Sequence, residues 1–159
     1  TLGTPASTVI TGIAVDDLSV YVADEDRGDI HTVGKRGGKL TRLIGGQYKP
    51  HTLAVDGPYV YWTFRTVTTL MQLPKADGEP VGLTRDLAPD SPLAFTEHEI
   101  FVAEPGALSK VMKRSSATTR LESHAADLRI TAIALDDRCV YWTTVGPSGD
   151  AATLWALGR

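Results

Sequence analysis

Hydrophobic positions recur along this chain at a fixed interval. Val20-Tyr21-Val22-Ala23, Val60-Tyr61-Trp62-Thr63, Ile100-Phe101-Val102-Ala103 and Val140-Tyr141-Trp142-Thr143 are one tetrad written four times, each forty residues after the last. Seven positions before each aromatic stands an alanine: Ala14, Ala54, Ala94 and Ala134. Apolar residues flank it, Ile13 and Val15 in the first copy and Ile133 and Leu135 in the last. Each copy therefore predicts a short apolar strand, a turn, and a second strand rich in β-branched and aromatic residues. The intervening Asp16-Asp17-Leu18-Ser19, Asp56-Gly57-Pro58-Tyr59 and Asp136-Asp137-Arg138-Cys139 carry the Asp, Gly and Pro of turns.

A third strand is predicted at Ile30 to Val33, Leu70 to Leu73, Leu108 to Met112 and Leu154 to Leu157. A fourth follows at Leu40 to Ile44, Val81 to Thr84 and Thr119 to Leu121. Four antiparallel strands in about forty residues, repeated, are the pattern of β-propeller blades. Period-2 and continuous apolar runs, with 15 Gly and 9 Pro, exclude a helical solenoid. The expected class is all-β: one propeller domain over 1–159, with four-stranded blades at 10–49, 50–89, 90–129 and 130–159.

Tyr61-Trp62-Thr63-Phe64 and Tyr141-Trp142-Thr143-Thr144, with the looser Tyr21-Val22-Ala23-Asp24, resemble the YWTD/NHL-like repeat of bacterial propellers. The Ala-Val-Asp before two of them resembles bacterial relatives of that family. The resemblance spans all four copies. It departs from the family in its last position, kept only as Asp24, with Glu104 as a conservative stand-in and Phe64 and Thr144 not matching. Members generally have six or more blades, against four copies here. The resemblance implies an extracytoplasmic or secreted location, and the absence of an initiating Met is read the same way.

Repeat four stops after its third strand, while residues 1–9 stand where a fourth strand belongs. Pairing these complementary edges removes an aggregation hazard, so the N-terminal strand is expected to complete the last blade. Two geometries satisfy this closure: a four-bladed single-chain ring, or self-association of two chains into an eight-bladed ring, preferred because it relaxes blade curvature and because closed twofold dimers are common. A third reading makes the chain a segment of a longer propeller.

Composition narrows the function. The chain of 159 residues is 42% hydrophobic and 22% charged, ordinary for a folded domain. Sixteen basic against nineteen acidic residues give a net charge of −3, which offers no global field for nucleic acid or an anionic membrane. No apolar run reaches the roughly 20 residues of a membrane span, and no basic-then-apolar leader opens the chain. The single cysteine, Cys139, excludes an internal disulfide framework and a thiolate zinc site.

Propeller function is carried by loops at one mouth of the axial channel, those joining strand two to three and strand four to the next blade. These loops place Asp24, Arg27, Asp29, His51, Arg65, Asp90, Glu104 and Arg129 around one face. Both signs of charge suit a protein or a polar small ligand. The repeated aromatics lie mid-strand and read as inter-blade core, with Trp155 a weaker core candidate. Asp24, Glu25, Asp26 and Asp29 lack the frame of an EF-hand loop, so no metal or other cofactor is expected. Arg27-Gly28-Asp29 has meaning for recognition only at an exposed tip. The four histidines fall in unlike places, and only His51 reaches the mouth. The expected role is non-catalytic binding or scaffolding. The alternative, a propeller enzyme of lyase or metal-dependent hydrolase type, rests on analogy of fold.

Overall fold

In the computed structural model, which describes residues 9–149 and 152–159, the described elements are fifteen β-strands and no helix. The first sheet holds β1 (Ile10–Val15), β2 (Ser19–Asp24), β3 (Asp29–Gly34) and β4 (Thr41–Ile44); the second holds β5 (Pro50–Asp56), β6 (Tyr59–Phe64), β7 (Leu70–Pro74) and β8 (Val81–Thr84). The third holds β9 (Leu93–Phe95), β10 (Glu99–Glu104), β11 (Ala107–Met112) and β12 (Thr118–Ser123), and the fourth β13 (Arg129–Leu135), β14 (Cys139–Val145) and β15 (Ala152–Gly158). In every sheet neighbours in sequence are neighbours in space. These four up-and-down sheets are the blades. The strand expected from residues 1–9 to complete the fourth sheet falls almost wholly outside the described residues.

The hairpin between the first two strands is built the same way in three blades. Asp16 Oδ1 accepts the amides of Leu18 and Ser19, Asp136 Oδ1 those of Arg138 and Cys139, and Thr96 Oγ1 those of His98 and Glu99. An oxygen-bearing side chain at the first turn position thereby mimics a backbone turn. Blade two replaces this with Gly57 at φ 52°, so its β5 and β6 run directly into a two-residue loop, with Asp56 opposite Tyr59.

The chain divides into two compact units, 1–82 and 83–159. In the first, strand alternation puts Tyr21, Ala23 and Ile30 on one face of blade one, where they pack with Leu53, Val60, Trp62, Phe64 and Leu73 of blade two. In the second, Phe101, Ala103 and Leu108 of blade three pack with Ile130, Val140 and Trp142 of blade four. The two joints use equivalent positions. Burying one such side chain contributes about 1.5–3 kcal/mol, so these clusters outweigh any single surface ion pair.

Burial corrects the sequence reading at three places. Tyr21, Tyr61 and Phe101 are buried, but Tyr141 is only half-buried and Ala134 is exposed, because their face of blade four packs on no other blade within its unit. Trp155, expected in the core, is exposed at 36% on β15, the edge strand of its sheet among the described residues. No described helix is long and apolar enough to cross a membrane.

Candidate functional site

The loop between β2 and β3 is a tight turn held from within. Asp24 Oδ1 accepts the Arg27 amide at 3.0 Å, and the Asp24 carbonyl accepts the Gly28 amide at 3.0 Å. Gly28 takes φ 67° and its carbonyl accepts the Gln47 amide at 2.8 Å; a Cβ there would run into the Gln47 carbonyl, so the close approach requires glycine. This bond ties the turn to the loop that leads into β5.

Glu25 projects from the turn and meets Arg65, the residue that follows β6. Arg65 Nε and Nη2 each reach a different Glu25 oxygen at 3.1 Å, a two-pronged pair. His51 Nδ1 lies 4.0 Å from the same carboxylate. The Arg65 hydrogen bonds hold the Glu25 carboxyl below the usual carboxylate range, with His51 and Lys49 adding in the same direction. Three basic groups thus face one acid. Glu25 is 11% exposed and Arg65 46%, so the cluster is open on its basic side.

Other expected site residues of unit one sit beneath this cluster or away from it. Asp24 is fully buried, its Oδ2 without a hydrogen bond. Asp29 is buried, with His31 Nε2 at 3.7 Å and Arg42 Nη1 at 3.9 Å. Arg27 is exposed. With Gly28 and Asp29 both buried, the Arg27-Gly28-Asp29 string presents no recognition tip.

In unit two, Glu104 is buried at the end of β10 and accepts Arg120 Nη2 at 2.9 Å and Nε at 3.3 Å on one oxygen. Gly106 repeats the Gly28 device, with φ 65° and its carbonyl accepting the His124 amide at 2.7 Å. Asp90, at φ 55°, occupies the exposed turn before β9, and Arg129 is exposed at the start of β13. His124 Nε2 accepts Trp142 Nε1 at 2.9 Å, and its ring lies 4.7 Å from that of Trp155. A cleft of about 380 Å³ opens between Phe101, Lys110 and Leu121 on one blade and Val140 and Leu157 on the next. Among the described residues no group of three or more His, Cys, Asp or Glu is arranged to hold a metal ion.

Sequence reasoning placed Glu25 only among carboxylates. The signal that finds its role is that position 25 and position 65 hold opposite charges at the same place in successive repeats. Arg120 and the His124–Trp142 pair join residues from strands whose relative register no local pattern reveals.

These sheets and loops define a β-propeller. Among solved structures, the computationally designed protein Ika4 is similar with TM-score 0.72 at 18% identity, over 99% of this chain and 98% of that one. The designed Ika8 is similar with TM-score 0.69 at 18% identity, over 96% of this chain and 47% of that one. PorZ, an essential bacterial surface component of the type-IX secretion system of Porphyromonas gingivalis, matches at TM-score 0.63 and 16% identity, over 94% of this chain and 21% of that one. At these identities the likeness is one of fold. No family model and no curated protein matches the chain.

Proposed function

We propose that the chain is a non-catalytic binding or scaffolding module that takes the carboxylate of a polar small ligand or of an acidic protein segment at the loops of its first two blades. The observation that carries this reading is the gathering of Lys49, His51 and the half-exposed Arg65 around the single carboxylate of Glu25. Glu25 takes the Nε and Nη2 edge of Arg65 and fixes the half-exposed guanidinium, whose charge the loops on rigid blades present to a ligand carboxylate at little entropic cost. His51 Nδ1 lies beyond hydrogen-bond reach of Glu25, which does not favour a histidine oriented as general base. The resemblance of the tetrads to YWTD/NHL-like repeats is in keeping with a binding role, and with an extracytoplasmic location.

The test is titration of succinate and of a short acidic peptide into isotope-labelled protein. Amide shifts confined to residues 25–28, 47–51 and 65, with affinity lowered about tenfold or more (~1.4 kcal/mol) in Arg65→Ala, are expected. Shifts confined to other surfaces, or a turnover abolished by His51→Ala, would replace the reading.

A further inference from the structure

We infer that the cleft between blades three and four binds a free apolar α-amino acid, with its side chain on the apolar floor, its carboxylate on Arg159 and its ammonium on Asp137. Every residue that lines this cleft belongs to the second unit. It shares none with the loop cluster around Glu25.

The repeat shows what this joint lacks. Between blades one and two, Asp16 Oδ2 accepts the Tyr21 hydroxyl at 3.0 Å and Lys75 Nζ of the following blade at 2.7 Å, and Lys75 Nζ stands 5.7 Å from the centre of the Tyr21 ring. Phenol, carboxylate and ammonium close that edge together. Eighty residues on, Asp16 becomes Thr96 and Tyr21 becomes Phe101. Thr96 Oγ1 still accepts two turn amides, as Asp16 Oδ1 does, but threonine has no second oxygen and phenylalanine no hydroxyl. The cation is kept. The Lys75 amide donates to the Pro58 carbonyl and the Arg159 amide to the Arg138 carbonyl, both at 2.8 Å, so the two bases hold the same place on blades two and four. A positive charge therefore stands at a joint whose sequence no longer supplies its carboxylate.

The floor and a second charge identify the ligand. Phe101 and Val140, both buried, and the half-buried Leu121 and Leu157 line the cleft, whose volume of about 380 Å³ lies in the range of small-molecule sites. Glu99 and Lys110 also line it, but they pair with each other at 2.6 Å and add no net charge. Asp137 and Arg159 differ. Both are exposed and both line the cleft, and among the described residues neither forms an ion pair with the other or with a third side chain. Arg159 Nη1 donates to the Asp136 backbone carbonyl, while both oxygens of the Asp136 carboxylate are occupied by turn amides and the Tyr141 hydroxyl. The other N–H donors of the guanidinium are left to meet a carboxylate. A simple carboxylate bound there would leave Asp137 uncompensated, and a simple amine would leave Arg159 so. A zwitterion answers both charges, and an apolar side chain removes the floor from water.

Calorimetric titration with phenylalanine, leucine, 3-phenylpropionate and 2-phenylethylamine tests this. At least one of the two amino acids should bind, and the two phenyl compounds, each lacking one charge, should bind about tenfold or more weakly than phenylalanine or not at all. Amide shifts should fall on residues 99–101, 110, 121, 137–140 and 157–159. Arg159→Gln and Asp137→Asn should each weaken binding about tenfold or more. Both positions are exposed, so the circular dichroism of the blades should be unchanged. No binding of either amino acid at millimolar concentration, 3-phenylpropionate binding as tightly as phenylalanine, shifts confined to other surfaces, or an affinity indifferent to both substitutions would overturn the inference.

Discussion

The Tyr141 hydroxyl donates a hydrogen bond to Asp136 at 2.9 Å, just as the Tyr21 hydroxyl donates to Asp16 at 3.0 Å, so the first and last repeats carry the same tyrosine-to-turn lock. In each, Oδ1 accepts two turn amides and Oδ2 accepts the phenol. The bond to Asp136 pushes the Tyr141 hydroxyl up to about 12, and backbone amides hold Asp136 low. What separates the two locks is Lys75.

That difference predicts an acid response. Burial pushes the Asp16 carboxyl up, but the Lys75 ammonium and the amides of Ser19 and Leu18 outweigh it and hold it well below the usual range. A depressed carboxyl stabilises the fold above its unfolded value, near 4, and the contribution is lost as pH falls towards the folded value. Lys75→Met should cost about 1 kcal/mol at pH 7, discounted for partial exposure, and the gap from wild type should persist through pH 4 and narrow only in stronger acid, as pH approaches the folded value. Urea melts at pH 7, 4 and stepwise into strong acid measure it; a gap that does not narrow at the acid end would refute the ion pair as its source.

Glycines at close approaches should be far less replaceable than glycines in open turns. A Cβ on Gly12 would strike the His51 carbonyl and come within 2.8 Å of Leu53 Cβ, wedging β1 from β5. Gly57, at φ 52°, has nothing within 4 Å. Gly12→Ala should cost roughly 2–4 kcal/mol, and Gly57→Asn under about 1, since asparagine tolerates the left-handed region. At roughly 2–4 °C per kcal/mol, thermal unfolding separates them.

The blades were legible because a forty-residue period marks every copy independently: the second strand at Tyr21, Tyr61, Phe101 and Tyr141 appears where the repeat puts it. Exposure was not legible in the same way. Tyr141 and Trp155 have core chemistry, but Tyr141 lies on the face of blade four that packs on no other blade of its unit, and Trp155 on β15, the edge strand of its sheet among the described residues. The repeat marks Ala14 in the first strand, yet it is Gly12, two residues earlier and outside the repeated pattern, at which a Cβ would strike β5. For the site, loop residues were placed by alignment, but pairing was not. His51 and Arg65 meet on Glu25, while Asp24 and Asp29 turn inward, because a tight turn sends alternate side chains in opposite directions.

His124 and Trp142 should behave as a coupled pair. Trp142 is 2% exposed, so its indole N–H needs the His124 acceptor. His124→Ala should cost about 1–3 kcal/mol by leaving that donor buried and unsatisfied. In a Trp142→Phe background the donor is gone, and the same change should cost clearly less. A double-mutant cycle by urea unfolding reads the coupling; additive costs would show that the bond contributes nothing.

The Glu25–Arg65 pair makes the last prediction, which separates stability from binding. Arg65 is nearly half exposed, so Arg65→Ala should lower stability by only about 0.5–1 kcal/mol. Glu25 is better shielded and loses its strongest partner, so its carboxyl should rise towards the ordinary range. Because the folded value lies below the unfolded one, the stability in question is present above about pH 4.3 and fades as pH falls through the folded value, and the variant should lose this part of its acid sensitivity. Carboxyl titration by carbon-detected NMR gives the Glu25 value directly. A Glu25 that titrates identically in wild type and Arg65→Ala would mean that the pair is not formed in solution, and the basic cluster would then lack the anchor that fixes its geometry.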